Sequence, residues 1–284
     1  MTRRTVGFAI IGCAGVSACG INTGDTNHVP HAPHRAVSLD YCADQYALKL
    51  LDREEIIALS PDAEKSFSYM RDAAADIPQV RARTEEVLAL RPTLILRAYG
   101  GGPNAPAYFN RAGVKVVQIG YASDLDGVRH MIRSTAAALN REDRGEKIIA
   151  RMDARLAEIQ SKSVDQNALY FTAGGVTTGP GALPHAAINA AGLQNYEATP
   201  GWRPIPLEKL VITKPDIAIA SFFDGPASAQ NAWSAASHPI ARQLLGKSDS
   251  IQLDGAWTAC GGWFIIDAIE ALAETVAGME QGGS

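Results

Sequence analysis

The residues able to do chemistry in this chain are few and scattered. Its six histidines are His28, His31, His34, His130, His185 and His238. The first three recur every third residue. A polyproline II strand has three residues per turn, so their imidazoles could share one edge as a metal-scavenging tail; the same stretch also reads as a solvated linker. The other three lie far apart. A zinc or manganese site needs several converging histidines and carboxylates, so His185 and His238 are a weak basis for a metal-ion site and His130 reads as a surface or core residue. No Gly-x-Ser-x-Gly elbow is present, and Gly100-Gly101-Gly102-Pro103 is not followed by the Lys-Ser/Thr of a phosphate loop. With no constellation for bond-making, the expectation is a non-enzyme without cofactor or resident metal. Beyond Cys13 and Cys19, the folded part holds Cys42 and Cys260. They could pair in an oxidising compartment or remain two separate thiols, and each follows a strand end.

The most informative pattern is a phrase stated twice. Glu85 is followed seven residues later by Pro92 and an apolar run, and Glu208 seven residues later by Pro215 and an apolar run. Each copy predicts a short helix, a Pro-marked turn and a buried parallel strand. Fourteen residues after each glutamate stands an aromatic residue, Tyr99 and Phe222, just past the strand. Two copies imply two similar lobes. Open α/β sheets bind ligands at the carboxyl ends of their strands, so the repeat predicts a ligand held between the lobes.

The flanking elements follow the same alternation of strand and helix, which argues for parallel sheets. Strands are expected at 35–39, 56–59, 94–96, 114–119, 168–172, 217–221 and 251–253. Helices are expected at 43–51, 107–112, 183–191 and 265–276, with Thr84 capping the helix that carries Glu85 and Glu86, and Asp124 capping another. Residues 140–162 differ: Ile148, Met152, Leu156 and Ile159 recur at helical spacing amid charges. About 20 helical residues make a rod of roughly 30 Å, long enough to connect two lobes. The fold class is therefore α/β, two Rossmann-like lobes joined by one long helix. The domains read as 35–139, a connecting helix at 140–163, and 164–284.

The N-terminus reads as an export signal over 1–18. Arg3 and Arg4 precede an apolar stretch too short to span a bilayer. Val16-Ser17-Ala18-Cys19 resembles the lipobox of bacterial lipoproteins, which implies acylation of Cys19 and a periplasmic, membrane-anchored protein tethered by 19–34. Cleavage near Ala18 with Cys19 incidental is the alternative. A formal net charge of −4 shows no nucleic-acid footprint.

Taken together, these segments resemble the periplasmic substrate-binding proteins of ABC importers for iron complexes and cobalamin. The resemblance runs from Arg-Ala-Val-Ser-Leu at Arg35 through Glu-Glu-Val-Leu-Ala-Leu-Arg-Pro at Glu85 and Ala-Gly-Val-Lys-Val-Val at Ala112. It continues in Gly-Pro-Gly-Ala-Leu at Gly179, Ala-Ala-Gly-Leu-Gln-Asn at Ala190 and Pro-Ile-Pro-Leu-Glu-Lys-Leu at Pro204. It implies that Glu85 and Glu208 dock on arginines of the permease, with Glu86 competing in the first lobe. It also implies a pocket of aromatic and cationic groups: Tyr41, Arg81, Arg97, Tyr99, Trp202, Arg203, Phe222 and Trp257, with Trp233 and Trp263 left as packing. The implied ligand is a ferric siderophore, favoured by those arginines, or cobalamin or haem. The implied partners are the permease subunits, and the protein is expected to act as a monomer. Alternatives are a metal-ion or haem binding protein, or a ligand-sensing lipoprotein without a transporter. The small, polar segment 224–236 departs from the family pattern.

Overall fold

The structure is a computed structural model and describes residues 34–159, 165–222, 238–246 and 250–282. The expected signal, Cys19, His28, His31, Trp233 and the polar segment 224–236 lie outside the described residues.

The first lobe runs through β1 (Ala36–Ser38), α1 (Tyr41–Leu50), a 3-10 turn, β2 (Ile56–Ala58), α2 (Arg71–Ala74), α3 (Thr84–Ala89), β3 (Leu94–Arg97), α4 (Ala105–Arg111), β4 (Lys115–Gln118) and α5 (Leu125–Ala138). Then comes α6 (Glu142–Glu158). The second lobe follows with β5 (Asn167–Thr172), β6 (Val176–Thr178), α7 (Leu183–Ala190), β7 (Gln194–Asn195), β8 (Trp202–Pro204) and α8 (Leu207–Ile212). It ends with β9 (Ile217–Phe222), α9 (Pro239–Leu245), β10 (Ser250–Asp254), α10 (Gly255–Thr258) and α11 (Ile265–Gly282).

There are two separate four-stranded parallel sheets, β2-β1-β3-β4 and β10-β9-β5-β7. Numbered in chain order within each lobe, both sheets have the strand order 2-1-3-4. The repeated phrase is thus a repeated topology, with Glu85 and Glu208 each second in a six-residue helix before the third strand. The second lobe adds an antiparallel pair, β6 with β8, to this plan.

Strand periodicity assigns the two faces of each sheet. Leu94 and Leu96 face a core cluster shared by both lobes, and Ile95 a second cluster under α3 and α4. In β5, Ala168 and Tyr170 join the shared core, while Leu169 and Phe171 face the outer cluster. The shared core also takes Ile132 of α5, Ile148 and Met152 of α6, Ile188 of α7 and Leu272 of α11. The lobes are therefore welded along one edge by apolar packing.

The α6 helix fastens to both lobes through arginines. At its start Arg141 donates to both carboxylate oxygens of the buried Glu55 at 2.9 Å, and Arg144 donates to Asp52 and to the Leu50 carbonyl. Near its end Arg155 pairs with Asp267 and Glu270 of α11. The helix is shorter than the 140–162 expected. At the other candidate boundaries, Asp124 caps α5 by accepting from Gly127 N. Thr84 is no cap: Arg83 occupies the N-cap position without a side-chain bond, and Thr84 is the first helical residue. Trp263 precedes α11 and packs edge-on against Tyr46 and Phe264. Among the described residues no helix is long and apolar enough to cross a membrane.

Candidate functional site

The site is built at the carboxyl ends of β1 and β3, where the strand order reverses and an open sheet leaves a crevice. Asp40 ends β1 and caps α1, with one carboxylate oxygen accepting from Ala43 N. Its other oxygen accepts three backbone N–H groups of the loop after β3, from Ala98 at 2.8 Å, Tyr99 at 3.0 Å and Gly100 at 2.8 Å. One buried side chain thus holds that loop against α1. Gly100 is required there, because a Cβ would lie 2.4 Å from the Leu39 carbonyl oxygen. Arg97 closes the loop from the other side. Its guanidinium donates to the carbonyls of Gly100 and Gly102 and to Gln118 Oε1, at 2.8, 3.1 and 2.9 Å. Arg97 is only 6% exposed. Three of its five N–H donors are taken by these contacts, and Arg97 is not among the residues that line the cavity.

Between the lobes this construction leaves a cavity of about 580 Å³. Lobe one contributes Tyr99, Tyr121, Gln118 and Met131; lobe two contributes Tyr170, Leu183, Trp202 and Thr258. Trp202 Nε1 donates to Tyr121 Oη at 3.4 Å across the gap, and the Trp202 ring stands edge-on to Tyr170. Cys42 of α1 and Cys260, just after α10, form a disulfide with Cα atoms 5.5 Å apart, and both line the cavity. The alternative of two separate thiols does not hold in this structure. The disulfide joins lobe one to lobe two, a second tether besides α6.

The described lining of the cavity is neutral. Among the described residues no aspartate, glutamate, lysine or arginine lines it. Its tyrosines are hydrogen-bonding groups: burial, with Tyr41 and Asp40 nearby, pushes the Tyr99 phenol far up, and burial raises Tyr170 despite its bonds to Thr258 and Ser221. Thr258 and Ser221 share a short hydroxyl–hydroxyl bond beneath Tyr170.

Of the residues proposed from sequence, Tyr99 and Trp202 line the cavity. Tyr41 stands behind Tyr99, with ring centroids 6.1 Å apart, and packs on Phe67. Arg81 is exposed and does not line the cavity. Arg203 lies beside Glu197, 3.6 Å away, in β8. Trp257 is half-buried against the shared core, though its neighbour Thr258 reaches the cavity. Phe222 ends β9, paired with Asp254, and its side chain lies outside the description. Of the five arginine and tryptophan candidates, only Trp202 lines the cavity; Arg81, Arg97, Arg203 and Trp257 do not. Sequence reasoning missed Tyr121, which follows β4 as Tyr99 follows β3 and was open to the same strand-end rule. It also missed Tyr170, which lies inside a strand where no such rule applies. Glu85 and Glu208 are both exposed. Among the described residues no cluster of three or more metal-ligating side chains exists. The His185 ring nitrogens lie 3.0 and 3.1 Å from the amides of Asn189 and Asn195.

A cleft between two lobes of identical strand order, with a connecting helix behind it, is the architecture matched by known proteins. Residues 37–228 match the periplasmic binding protein family. The chain belongs to that family. The members of that family are periplasmic binding proteins. Over 211 residues, 69% of this chain, it is 26% identical to a cobalamin-binding protein of Halobacterium salinarum, and it spans 57% of the length of that relative. Among solved structures it resembles a periplasmic haem-binding protein from Roseiflexus sp. RS-1. The TM-score is 0.67 at 22% identity, over 86% of this chain and 99% of that one. A haem-binding protein of Vibrio cholerae superposes with TM-score 0.68 at 18% identity, over 87% and 99% of the two chains. An Fe3+-hydroxamate transport protein of Saccharomonospora viridis gives 0.64 at 20% identity, over 86% and 93%. At these identities the structural likeness establishes the shared fold.

Proposed function

We propose that this protein is the extracytoplasmic receptor of an ABC importer, anchored through Cys19, and that its cleft takes a bulky metal chelate of the corrinoid class. The observation that carries this reading is the neutral, aromatic cavity between the lobes. An anionic ferric catecholate or the propionates of haem would need cationic partners where they are buried. The described lining offers none. A corrinoid rimmed by amides needs an apolar, aromatic floor and neutral hydrogen-bonding groups, which Tyr99, Tyr121 and Thr258 supply. The reading moves away from the siderophore that the arginine count favours, because Arg81, Arg97 and Arg203 are not among the described residues that line the cavity. Haem is the second reading, favoured by the tyrosine hydroxyls at the cavity, since phenolate is a known haem-iron ligand.

Binding and handover complete the function, with no bond-making step. Glu85 and Glu208 are proposed to dock on basic permease residues, one from each lobe. Their matching place in the repeat supports this, since two exposed carboxylates can orient a basic partner without a large buried interface. Titrating the purified protein with cyanocobalamin, haemin, a ferric hydroxamate and a ferric catecholate, read by tryptophan fluorescence, tests the ligand. Saturable quenching by cyanocobalamin, lost in Trp202→Ala, is expected; no response to any of the four refutes the chelate reading. Reversal of both glutamates to lysine should abolish uptake in cells while leaving the titration unchanged. Wild-type uptake by the double variant would remove the docking role.

A further inference from the structure

A second cavity, of about 320 Å³, lies where α1, α6 and α11 meet. The first α1 turns give Cys42 and Tyr46 to the ligand cleft, and Lys49, further along the same helix, lines this other hollow. Its walls carry four cations, Lys49, Lys147, Arg151 and Arg155, and two aromatic rings, Tyr69 and Trp263. Lys147, Arg151 and Arg155 recur at every fourth position along α6, so they stack on one helix face. Like charges at that spacing destabilise a helix by a few tenths of a kcal/mol each, and Lys49 adds a fourth charge from another element.

The facing carboxylates do not neutralise this set. Asp267 and Glu270 of α11 are both held by Arg155, and the Tyr69 hydroxyl also bonds Asp267. Among the described residues Lys49, Lys147 and Arg151 have no carboxylate ion pair. The Lys49 ammonium sits 5.7 Å over the Trp263 ring. Burial and the nearby Arg151 both lower its proton affinity, as befits a cation without a counter-charge. The hollow therefore combines three uncompensated cations from two helices with an aromatic wall, inside a concavity of ligand size.

We propose that this cavity is a binding site for a phosphate group, carried by a small phosphorylated molecule or by an anionic lipid headgroup. A phosphate offers several acceptor oxygens and up to two negative charges, which match an arginine fork and two ammonium groups converging from different elements. Tyr69 and Trp263 then receive the organic part. A bound phosphate would link α1 of lobe one to the α6 connector beside α11 of lobe two. The site shares no lining residue with the cleft, although Tyr46 of the cleft packs edge-on against Trp263 and Ile265 and Ile266 line the two in turn.

The test uses the folded protein at constant ionic strength. Phosphate, then pyrophosphate, is titrated against wild type and Lys49→Gln/Arg151→Gln, with Trp263 fluorescence and thermal melting as readouts. Flotation with phosphatidylglycerol vesicles is compared with phosphatidylcholine vesicles. Both substitutions lie at partly or fully exposed positions and leave the cleft lining intact. The expected result is saturable binding with a rise in melting temperature, at least tenfold weaker in the double variant. Saturation by free anions identifies a soluble phosphate compound; binding confined to phosphatidylglycerol identifies the headgroup. Equal responses of wild type and variant, or none in either arm, overturn the proposal, and neither result bears on the cleft ligand.

Discussion

Replacing Cys42 and Cys260 together by alanine removes the cross-link between the lobes without leaving a lone thiol. The two cysteines are 218 residues apart in sequence. The chain-entropy relation for a loop of that size gives an upper figure of about 5 kcal/mol for the constraint placed on the unfolded chain, and measured disulfides more often contribute about 2–4 kcal/mol. For a domain of this size each kcal/mol moves the melting temperature by about 2–4 °C. The double variant should therefore melt roughly 4–16 °C below the oxidised parent. The structure adds a second consequence, because the bond closes the floor of the cleft. Without it the lobes are joined by α6 and the shared apolar core alone, and the Tyr121–Trp202 contact at the mouth must hold against wider opening. A faster release of ligand in stopped-flow fluorescence is expected, with the bound state still attainable. The assay is thermal and urea unfolding of the parent, the parent with reductant, and the double variant. A thiol count on the unfolded, unreduced parent comes first. A melting temperature within about 2 °C of the oxidised parent in both other samples would refute the loop argument.

Asp44 offers a pH test of the site's foundation. Burial raises its carboxyl to about 6 from 3.8, although Ser38 and Ser60 hydrogen bonds oppose this. Because the folded state holds this proton at higher pH than the unfolded chain, its contribution is fully present below about pH 4, falls as pH rises towards 6 and is level above that. The difference in stability between wild type and Asp44→Asn should therefore shift by about 3 kcal/mol between pH 4 and pH 7, followed by urea unfolding; a difference independent of pH would contradict the assignment. Arg97→Ala strips two hydrogen bonds from the loop that presents Tyr99 and a third from Gln118. It should cost about 2–4 kcal/mol of stability and weaken cleft binding, measured by urea unfolding and fluorescence titration. Unchanged stability would mean that the loop does not depend on the guanidinium.

The two lobes were legible because their signals are local. Leu94, Ile95 and Leu96, and Ile217 to Ile219, are apolar runs long enough for a strand, each set off by a proline turn and preceded by a glutamate at a fixed distance. Asp124 was legible as a cap for the same reason, since capping reaches only three residues ahead. Thr84 was misplaced by one position, which is the ordinary scale of uncertainty at a helix end.

The character of the cleft was decided at longer range. An arginine at a strand end is compatible both with gripping a ligand and with supporting a loop. For Arg97 the choice was made by Gly100, Gly102 and Gln118, the last 21 residues away. Asp40 gathers three amides from a loop 58 to 60 residues further on, and no periodicity announces that. Tyr121 and Trp202 meet across the gap only because each lobe closes its own sheet and α6 sets one against the other. Sequence alone determined the repeat and the strands β1 to β5, β9 and β10, since these follow from short-range sterics and burial; the short β6, β7 and β8 carried no such signal. Tertiary structure alone decided that the described lining of the cleft is neutral and aromatic, because a charge's partner is fixed by which distant backbone or side chain reaches it first.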